Sequence, residues 1–468
     1  MPYPFVDGAS YPVRKAEALK LYVDGEEAFA AIADAVEGAK SCVYITVAYG
    51  SLNFRLKPPD GEQLGDLLVR TAKRGVRVAV LFWLPDGKVA DTVPPEVAQD
   101  LAAGGVLARW DRAKCSGLEK PFPELACHHQ KTFAMDGALA FVGGINMVQY
   151  YWDTRAHDRD DDRRVTYDVT DATQREQLRQ GPTNLPLHDM FASFGGPAVA
   201  DVEANFVERW NGASVPDSTP ALAVSPPGQR LSDGVPIQIV RTIAPGTYAD
   251  LPHGETGIRL AMLGLIGRAQ SSIYFENQYF FDEDVVTALR AAGERGVRVV
   301  GLLCRAPDKG QAVGVLEAYF DKKWESCLKF VGLSPELSRH IQLYSPVTNT
   351  SPSKDIYVHC KTMVVDDRYI LTGSANIAFT SLNFHSEMCV LADDARTAVS
   401  LRRSLWCEHL CLADDGQLPR SFEDGADLWA GAAKQNFQLR LQDEPPLSRV
   451  IPISSVGPAI AGRSDSAA

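Results

Sequence analysis

A chain of 468 residues, 45% apolar and 23% charged, can bury a large core and reads as globular rather than disordered or membrane-spanning. No run of 18 apolar residues occurs, and the start MPYPFVDGASYPVRKAEALKLYVDGEEAF lacks a basic segment followed by an apolar one, so neither a membrane helix nor a secretory signal is expected. A net charge of −12 repels polyanions and argues against nucleic acid as the partner, and nine unevenly spaced cysteines fit buried thiols in a reducing compartment rather than a disulfide framework.

The first predicted helix covers Glu26 to Gly38, with Phe29, Ile32 and Val36 on one face. A β-branched and aromatic strand follows around Val43–Ile45, then a second helix and the strand GVRVAVLFW at 75–83. Residues 129–146 carry a pattern of polar groups on a strand pair: His129-Gln-Lys131, Asp136, Gly143-Gly144 and Asn146. The run Tyr150-Tyr151-Trp152 suits a cleft rim or the core equally, and the mixed charges of 153–164 (DTRAHDRDDDRR) read as a solvated loop. The first half closes near Trp210, and the Pro-, Gly- and Ser-rich stretch 214–236 reads as a connector.

Beyond the connector the chain repeats itself at an offset of 230: Ala39–Ile45 lines up with Ala269–Phe275, and His129, Lys131, Asp136 and Asn146 with His359, Lys361, Asp366 and Asn376. GVRVAVLFW recurs as GVRVVGLLC at 296–304, where the offset slips to 296 − 75 = 221, so loops differ while the core recurs. The expected fold is α/β: two tandem α-β-α sandwich halves, 1–225 and 226–430, related by a pseudo-twofold axis with the active site between them. The segment 431–468, ending in GRSDSAA, reads as a partly ordered extension.

In a strand, residues two apart face the same way, so each His and Lys pair projects into one cleft. The Asp then opens a turn, and the returning strand brings Asn beside them. The small residues Gly143, Gly144, Gly373 and Ser374 are expected to let the backbone approach a ligand, and Asn146 and Asn376 to supply uncharged amide donors. Two imidazoles, two ammoniums and two amides around one point can displace an alcohol from a phosphodiester: one imidazole attacks phosphorus, the other protonates the leaving oxygen, and the lysines stabilise the equatorial charge. No metal or cofactor is needed for this, and Cys407 and Cys411 lack partners for zinc. Asp136 and Asp366, in turns, are assigned structural or supporting roles.

The duplicated H-x-K-x4-D pattern resembles the phospholipase D superfamily, over roughly residues 20 to 430. Ile273-Tyr-Phe-Glu276-Asn277-Gln278-Tyr279-Phe280 looks like the I-Y-I-E-N-Q-Y-F block of true phospholipases D, Pro186-Leu-His188-Asp189-Met190 like their P-W-H-D-V segment, and Leu401–Leu410 like their late L-R-x-x-L-W-x-E-H-L block. The resemblance implies the duplicated phospholipase D fold, His129 as nucleophile forming a phosphohistidine, His359 as general acid, and Gln278 as a substrate-binding residue. It implies Glu387, 28 residues after His359, as the carboxylate orienting that imidazole, and Asp189 as the partner of His129, with Asp168 competing because His157 occupies the position 230 before Glu387. The implied activity is hydrolysis of glycerophospholipids such as phosphatidylcholine to phosphatidic acid and head group, with transfer to alcohols. Alternatives are a cardiolipin or phosphatidylserine synthase type phosphatidyltransferase, another phosphodiesterase or nuclease, and, last, an inactive lipid-binding scaffold. The expected partner is a phospholipid bilayer or micelle surface, met peripherally by a monomer without an obligate protein partner. The expected location is cytoplasmic or peripheral membrane, with export by a signal-independent route left open.

Overall fold

The computed structural model of the protein describes residues 3–85, 89–113, 126–165, 171–181, 184–213, 219–224, 231–249, 251–305, 325–327 and 337–453. The chain opens with β1 (Arg14–Ala16), β2 (Leu19–Val23) and α1 (Asp24–Gly38), then β3 (Cys42–Val47), α2 (Leu64–Lys73), β4 (Arg77–Trp83), α3 (Ala98–Ala103) and β5 (Leu107–Asp111). The hairpin β6 (Thr132–Met135) and β7 (Leu139–Gly143) follows, and α4 (Ala172–Gln180), β8 (Leu187–His188), β9 (Met190–Gly195) and α5 (Val199–Gly212) complete the first half. The second half runs β10 (Val235–Ile243), β11 (Glu255–Thr256), α6 (Gly257–Arg268), β12 (Ser272–Asn277), α7 (Glu283–Glu294), β13 (Arg298–Leu303), α8 (Leu337–His340) and β14 (Ile341–Pro346). It ends with β15 (Tyr357–Val358), β16 (Lys361–Val365), β17 (Tyr369–Gly373), α9 (Phe379–Asn383), β18 (Glu387–Asp393), α10 (Ala395–Leu410), α11 (Phe422–Leu441) and β19 (Val450–Pro452).

Among the described residues two large sheets form, and their orders match. The first is β2-β9-β7-β6-β3-β4-β5 and the second contains β10-β18-β17-β16-β12-β13-β14. In each, three parallel strands built by helix crossovers adjoin an antiparallel meander. The register repeats as well: Thr46 faces Thr132 as Glu276 faces Thr362, which carries the 230-residue offset from sequence into hydrogen-bonded pairs. Strands such as β4 and β12 are buried along nearly their whole length, as continuous apolar runs under helices should be. A shared core joins the halves, with Tyr44, Phe206 and Trp210 from the first and Tyr274, Trp406 and Trp429 from the second. The expected α/β fold of two like halves is thus the fold observed.

Two boundaries differ from the sequence expectation. β1 pairs antiparallel with β10, Arg14 opposite Ile237, so the N-terminal segment is an edge of the second sheet. The segment expected as a partly ordered extension from 431 carries the second half of α11 and β19: Ala433, like Trp429 just before it, is fully buried, and β19 extends the sheet beside β14. The spacing Ala426, Trp429, Ala433 is a helical apolar stripe, and Asn436 locks the following turn by donating to Ser448 Oγ (2.7 Å) and the Val450 carbonyl (2.8 Å). The boundary placed at 225 and residues 454–468 lie outside the described residues. No helix among the described residues is long and apolar enough to cross a membrane.

Candidate active site

The two His-x-Lys segments meet because each docks on a strand end of the other half. The His129 N–H donates to the Ser386 carbonyl (2.9 Å), and the His359 N–H donates to the His188 carbonyl (2.8 Å). A parallel pairing of β15 with β8 runs beside the second contact, and a bridge between His128 and Ser386 beside the first. The residue next in sequence after each accepting carbonyl is a buried carboxylate, Glu387 or Asp189.

This crossed docking corrects the expected carboxylate assignment. His129 Nδ1 lies 3.0 Å from both carboxylate oxygens of Glu387, and His359 Nδ1 lies 2.5 Å from Asp189 Oδ2. Each imidazole is therefore oriented by the opposite half. Asp189 and Glu387 are equivalent, since the Gly144 N–H donates to the Met190 carbonyl as the Ser374 N–H does to that of Met388. Their separation, 387 − 189 = 198, hides the equivalence behind the longer first-half segment. The competitor Asp168 lies outside the described residues.

The small residues serve the carboxylates. A side chain at Gly144 would collide with the Asp189 carboxylate, and one at Gly373 with the Met388 carbonyl, while one at Gly143 would strike the Phe191 ring and the Met190 carbonyl. Ser374 donates its hydroxyl to Glu387 Oε2 at 2.5 Å. The expectation that these four residues admit a ligand gives way to close packing of neighbouring strands that aim the carboxylates. Gln278 is buried at the site, donating to the Tyr357 hydroxyl (2.7 Å) and accepting from Lys361 Nζ (3.2 Å). Asn146 and Asn376 are both buried, and in each the Oδ1 atom has no partner.

Asp136 and Asp366 sit at the far ends of β6 and β16. Asp136 accepts from the N–H groups of Lys40, Ser41 and Cys42 and from Ser41 Oγ, and Asp366 does the same for residues 270–272. Both have left-handed backbone (φ 57° and 54°), which Asp tolerates at a turn. They tie the turn to the start of β3 or β12, a structural task.

Burial dominates the electrostatics. It lowers the His129 imidazole to about 4 despite Glu387, and His359 falls well below its ordinary value for the same reason, with Lys361 and Lys131 adding to the effect. Burial also lowers Lys131 to about 7 and Lys361 to about 8, and raises Asp189 to about 7. Burial alone would raise Glu387; the His129 and His385 imidazoles override it and hold the carboxyl below its usual range. Against burial, Cys127 and Glu387 push His385 up to about 10, so its cation balances Glu387 at 3.8 Å. At rest His129 is thus a neutral imidazole whose Nδ1–H donates to an anion. Lys131 Nζ lies 2.8 Å from the His129 carbonyl, and Lys361 Nζ donates to that of His359.

Sequence reasoning did not single out His385, although it stands two residues before Glu387. The aromatic run divides: Tyr151 packs edge-on against His359 (ring centroids 4.9 Å), Trp152 is core, and Tyr150 donates its hydroxyl to Asp91. The 153–164 segment is not a solvated loop, because Asp153 is buried and paired with buried His157 and Arg164, and buried Asp161 pairs with Arg163. His157, Asp24, His188 and Glu408 converge closely enough to share a metal ion.

Comparison with known proteins identifies the family. A family model described as "Phospholipase D" matches residues 35–285, more than half of the chain, and one described as "Cardiolipin synthase, PLD-like domain" matches residues 262–406. The chain belongs to the phospholipase D family. This enzyme family includes, among curated relatives, phospholipase D A of Dictyostelium discoideum, 26% identical over 86% of this chain and 36% of that protein. Phospholipase D alpha 4 of Arabidopsis thaliana is 24% identical over 80% of this chain and 62% of its own length. Cardiolipin synthase A of Pseudomonas aeruginosa is 27% identical over 80% and 64%. The chain thus spans from about a third to under two thirds of the length of these relatives. Phosphatidylserine synthase of Haemophilus influenzae Rd KW20 shares the fold, with a TM-score of 0.59 and 14% identity over 91% of this chain and 95% of that one.

Proposed function

We propose that this phospholipase D family chain hydrolyses glycerophospholipids, phosphatidylcholine among them, to phosphatidic acid and free head group through a phosphohistidine on His129. The observation that carries the reading is the pair of crossed contacts, His129 to Glu387 and His359 to Asp189, each fixing Nδ1 and leaving Nε2 for chemistry. The neutral His129 Nε2 attacks phosphorus, the bond to the head-group oxygen breaks, and His359 gives that oxygen its proton. Water then attacks phosphorus, the N–P bond breaks, and the water proton returns to His359. Lys131, Lys361 and the amide N–H groups of Asn146 and Asn376 support charge on the non-bridging oxygens, and an arriving phosphodiester anion raises the proton affinity of these buried bases. An alcohol replacing water gives transfer, and the protein meets the lipid surface peripherally.

The test is product analysis on phosphatidylcholine liposomes with brief chelator treatment, with and without ethanol. Choline and phosphatidic acid, with phosphatidylethanol when ethanol is present, are expected. DNA cleavage without choline release would sink the lipase reading. The synthase-named relative and family model favour a second reading, a phosphatidyltransferase. Cardiolipin as the main product from phosphatidylglycerol, with little phosphatidic acid, would select it.

A further inference from the structure

Four buried side chains outside the reaction centre converge on one point: Asp24 at the start of α1, His157 after β7, His188 in β8 and Glu408 in α10. His188 Nδ1 lies 3.0 Å from Asp24 Oδ1 and 3.1 Å from Glu408 Oε1. His157 Nε2 lies 3.1 Å from Glu408 Oε1 and 3.5 Å from Asp24 Oδ2. A tetrahedral zinc ion with ligand bonds of 2.0–2.1 Å holds its ligands roughly 3.3 Å apart, and with one ligand atom from each residue all four atoms lie within 4.8 Å of one another. Asp24 Oδ2 is buried without a hydrogen-bond partner, an arrangement that costs free energy unless something else binds it.

The outer nitrogen of each imidazole is also held by a carboxylate: His157 Nδ1 by Asp153 (3.1 Å) and His188 Nε2 by Glu276 (2.7 Å). These carboxylates are pinned in turn, Asp153 by Arg164 (2.8 Å) and Glu276 by His409 (2.9 Å) and the Tyr274 hydroxyl. A carboxylate on the far nitrogen is how metal-ligating histidines are usually set, with the near nitrogen unprotonated toward the ion. Both nitrogens of both rings face carboxylate oxygens, so the inner nitrogens and the inner oxygens converge on a point that a dication would fill.

We propose that Asp24, His157, His188 and Glu408 bind a structural divalent cation, zinc by their two-nitrogen, two-oxygen tetrahedral set. All four positions are filled by protein atoms, so the site is closed and takes no part in the chemistry. A cavity of about 630 Å³ lined by Arg155, Ser404, Glu408 and Arg449 reaches Glu408 and offers an entry path. The ion ties three first-half segments to α10 of the second half. It also steadies Asp189, which follows His188 and whose backbone carbonyl accepts from the Asp24 N–H at 2.8 Å.

Untagged full-length protein from zinc-supplemented cells, dialysed and analysed by mass spectrometry and zinc-edge X-ray absorption, decides the matter. The result expected is about one zinc per chain in an all nitrogen and oxygen shell near 2.0 Å. Prolonged dipicolinate treatment is expected to lower the melting temperature by several degrees, and added zinc to restore it. His157→Asn should lose the zinc, whereas a Cys407→Ser, Cys411→Ser double variant should keep all of it. Zinc below about a tenth of an equivalent after loading, a sulfur-containing shell, or an unmoved melting temperature on stripping would overturn the assignment. The wild-type measurements carry the decision even where a variant fails to fold, and they read metal whichever phosphodiester the enzyme takes.

Discussion

Replacing Glu387 by Gln keeps an acceptor for His129 Nδ1–H and removes the buried charge that faces it at 3.0 Å, together with the anionic partner of Ser374 Oγ at 2.5 Å. A hydrogen bond to an ionised group is worth about 1.5–3 kcal/mol net, and that charge matters most once His129 turns positive in forming the phosphohistidine. At about 1.4 kcal/mol per tenfold in rate, kcat should fall roughly 10- to 150-fold. Asp189→Asn should do comparable damage through the other histidine, and the leaving group separates the two variants. On a p-nitrophenyl phosphodiester, whose leaving group departs without a proton, Asp189→Asn should recover most of its loss in forming the phosphoenzyme, because His359 is no longer needed as acid in that step. Glu387→Gln should stay slow, because attack by His129 is still impaired. Pre-steady-state kinetics on both substrates, with acid-quenched labelling of the phosphoenzyme, make the comparison. Rescue of Glu387→Gln with no rescue of Asp189→Asn would refute the crossed assignment of roles.

Acid should destabilise the protein through His129, whose folded pKa of about 4 lies below the ordinary 6.5. Its share of stability is complete above pH 6.5 and is lost as pH falls toward 4, up to about 3 kcal/mol at 1.4 kcal/mol per unit; denaturant midpoints at pH 7 and 5 should fall more for wild type than for His129→Gln, and equal slopes would refute it. At the alkaline end kcat/KM should decline between about pH 7 and 8 as Lys131 and Lys361 lose their protons; a profile flat to pH 10 would exclude the ammonium forms from the reaction. Asp136→Asn should weaken the ties to residues 40–42 and lower stability by about 1–2 kcal/mol while leaving kcat of the folded protein within about twofold, whereas a hundredfold loss of kcat at unchanged stability would make the aspartate part of the chemistry. Trp429→Ala should cost about 3–5 kcal/mol by thermal denaturation, against almost nothing were α11 a loose appendage.

The constant 230-residue offset made the fold and the His, Lys and Asn positions legible, because core strands cannot change length without breaking register while loops can. The same fact hid the carboxylates. Asp189 follows an enlarged loop, so its equivalence to Glu387 exists only in the strand contacts of Gly144 and Ser374. Which half each carboxylate serves is a matter of how the halves dock, and no spacing within one chain encodes that. The charged run 153–164 misled for a different reason: mixed charge marks a solvated loop only when the charges lack partners, and Asp153 and Arg164 find theirs in the interior. His385 was hidden because its raised proton affinity depends on Glu387 and Cys127 folding around it.

The crossed carboxylates bear on the ancestry of the centre. A polypeptide encoding only one half would hold a histidine with no anion to aim it, so such a unit could work only as a twofold dimer. Joining two copies in one chain released them from identity. One side could then keep the longer glutamate backed by a serine hydroxyl, and the other a shorter aspartate seated over a glycine. Two histidines that a symmetric pair would make interchangeable are thereby given unequal surroundings, so the roles of nucleophile and acid need no longer be decided by the orientation of the substrate alone.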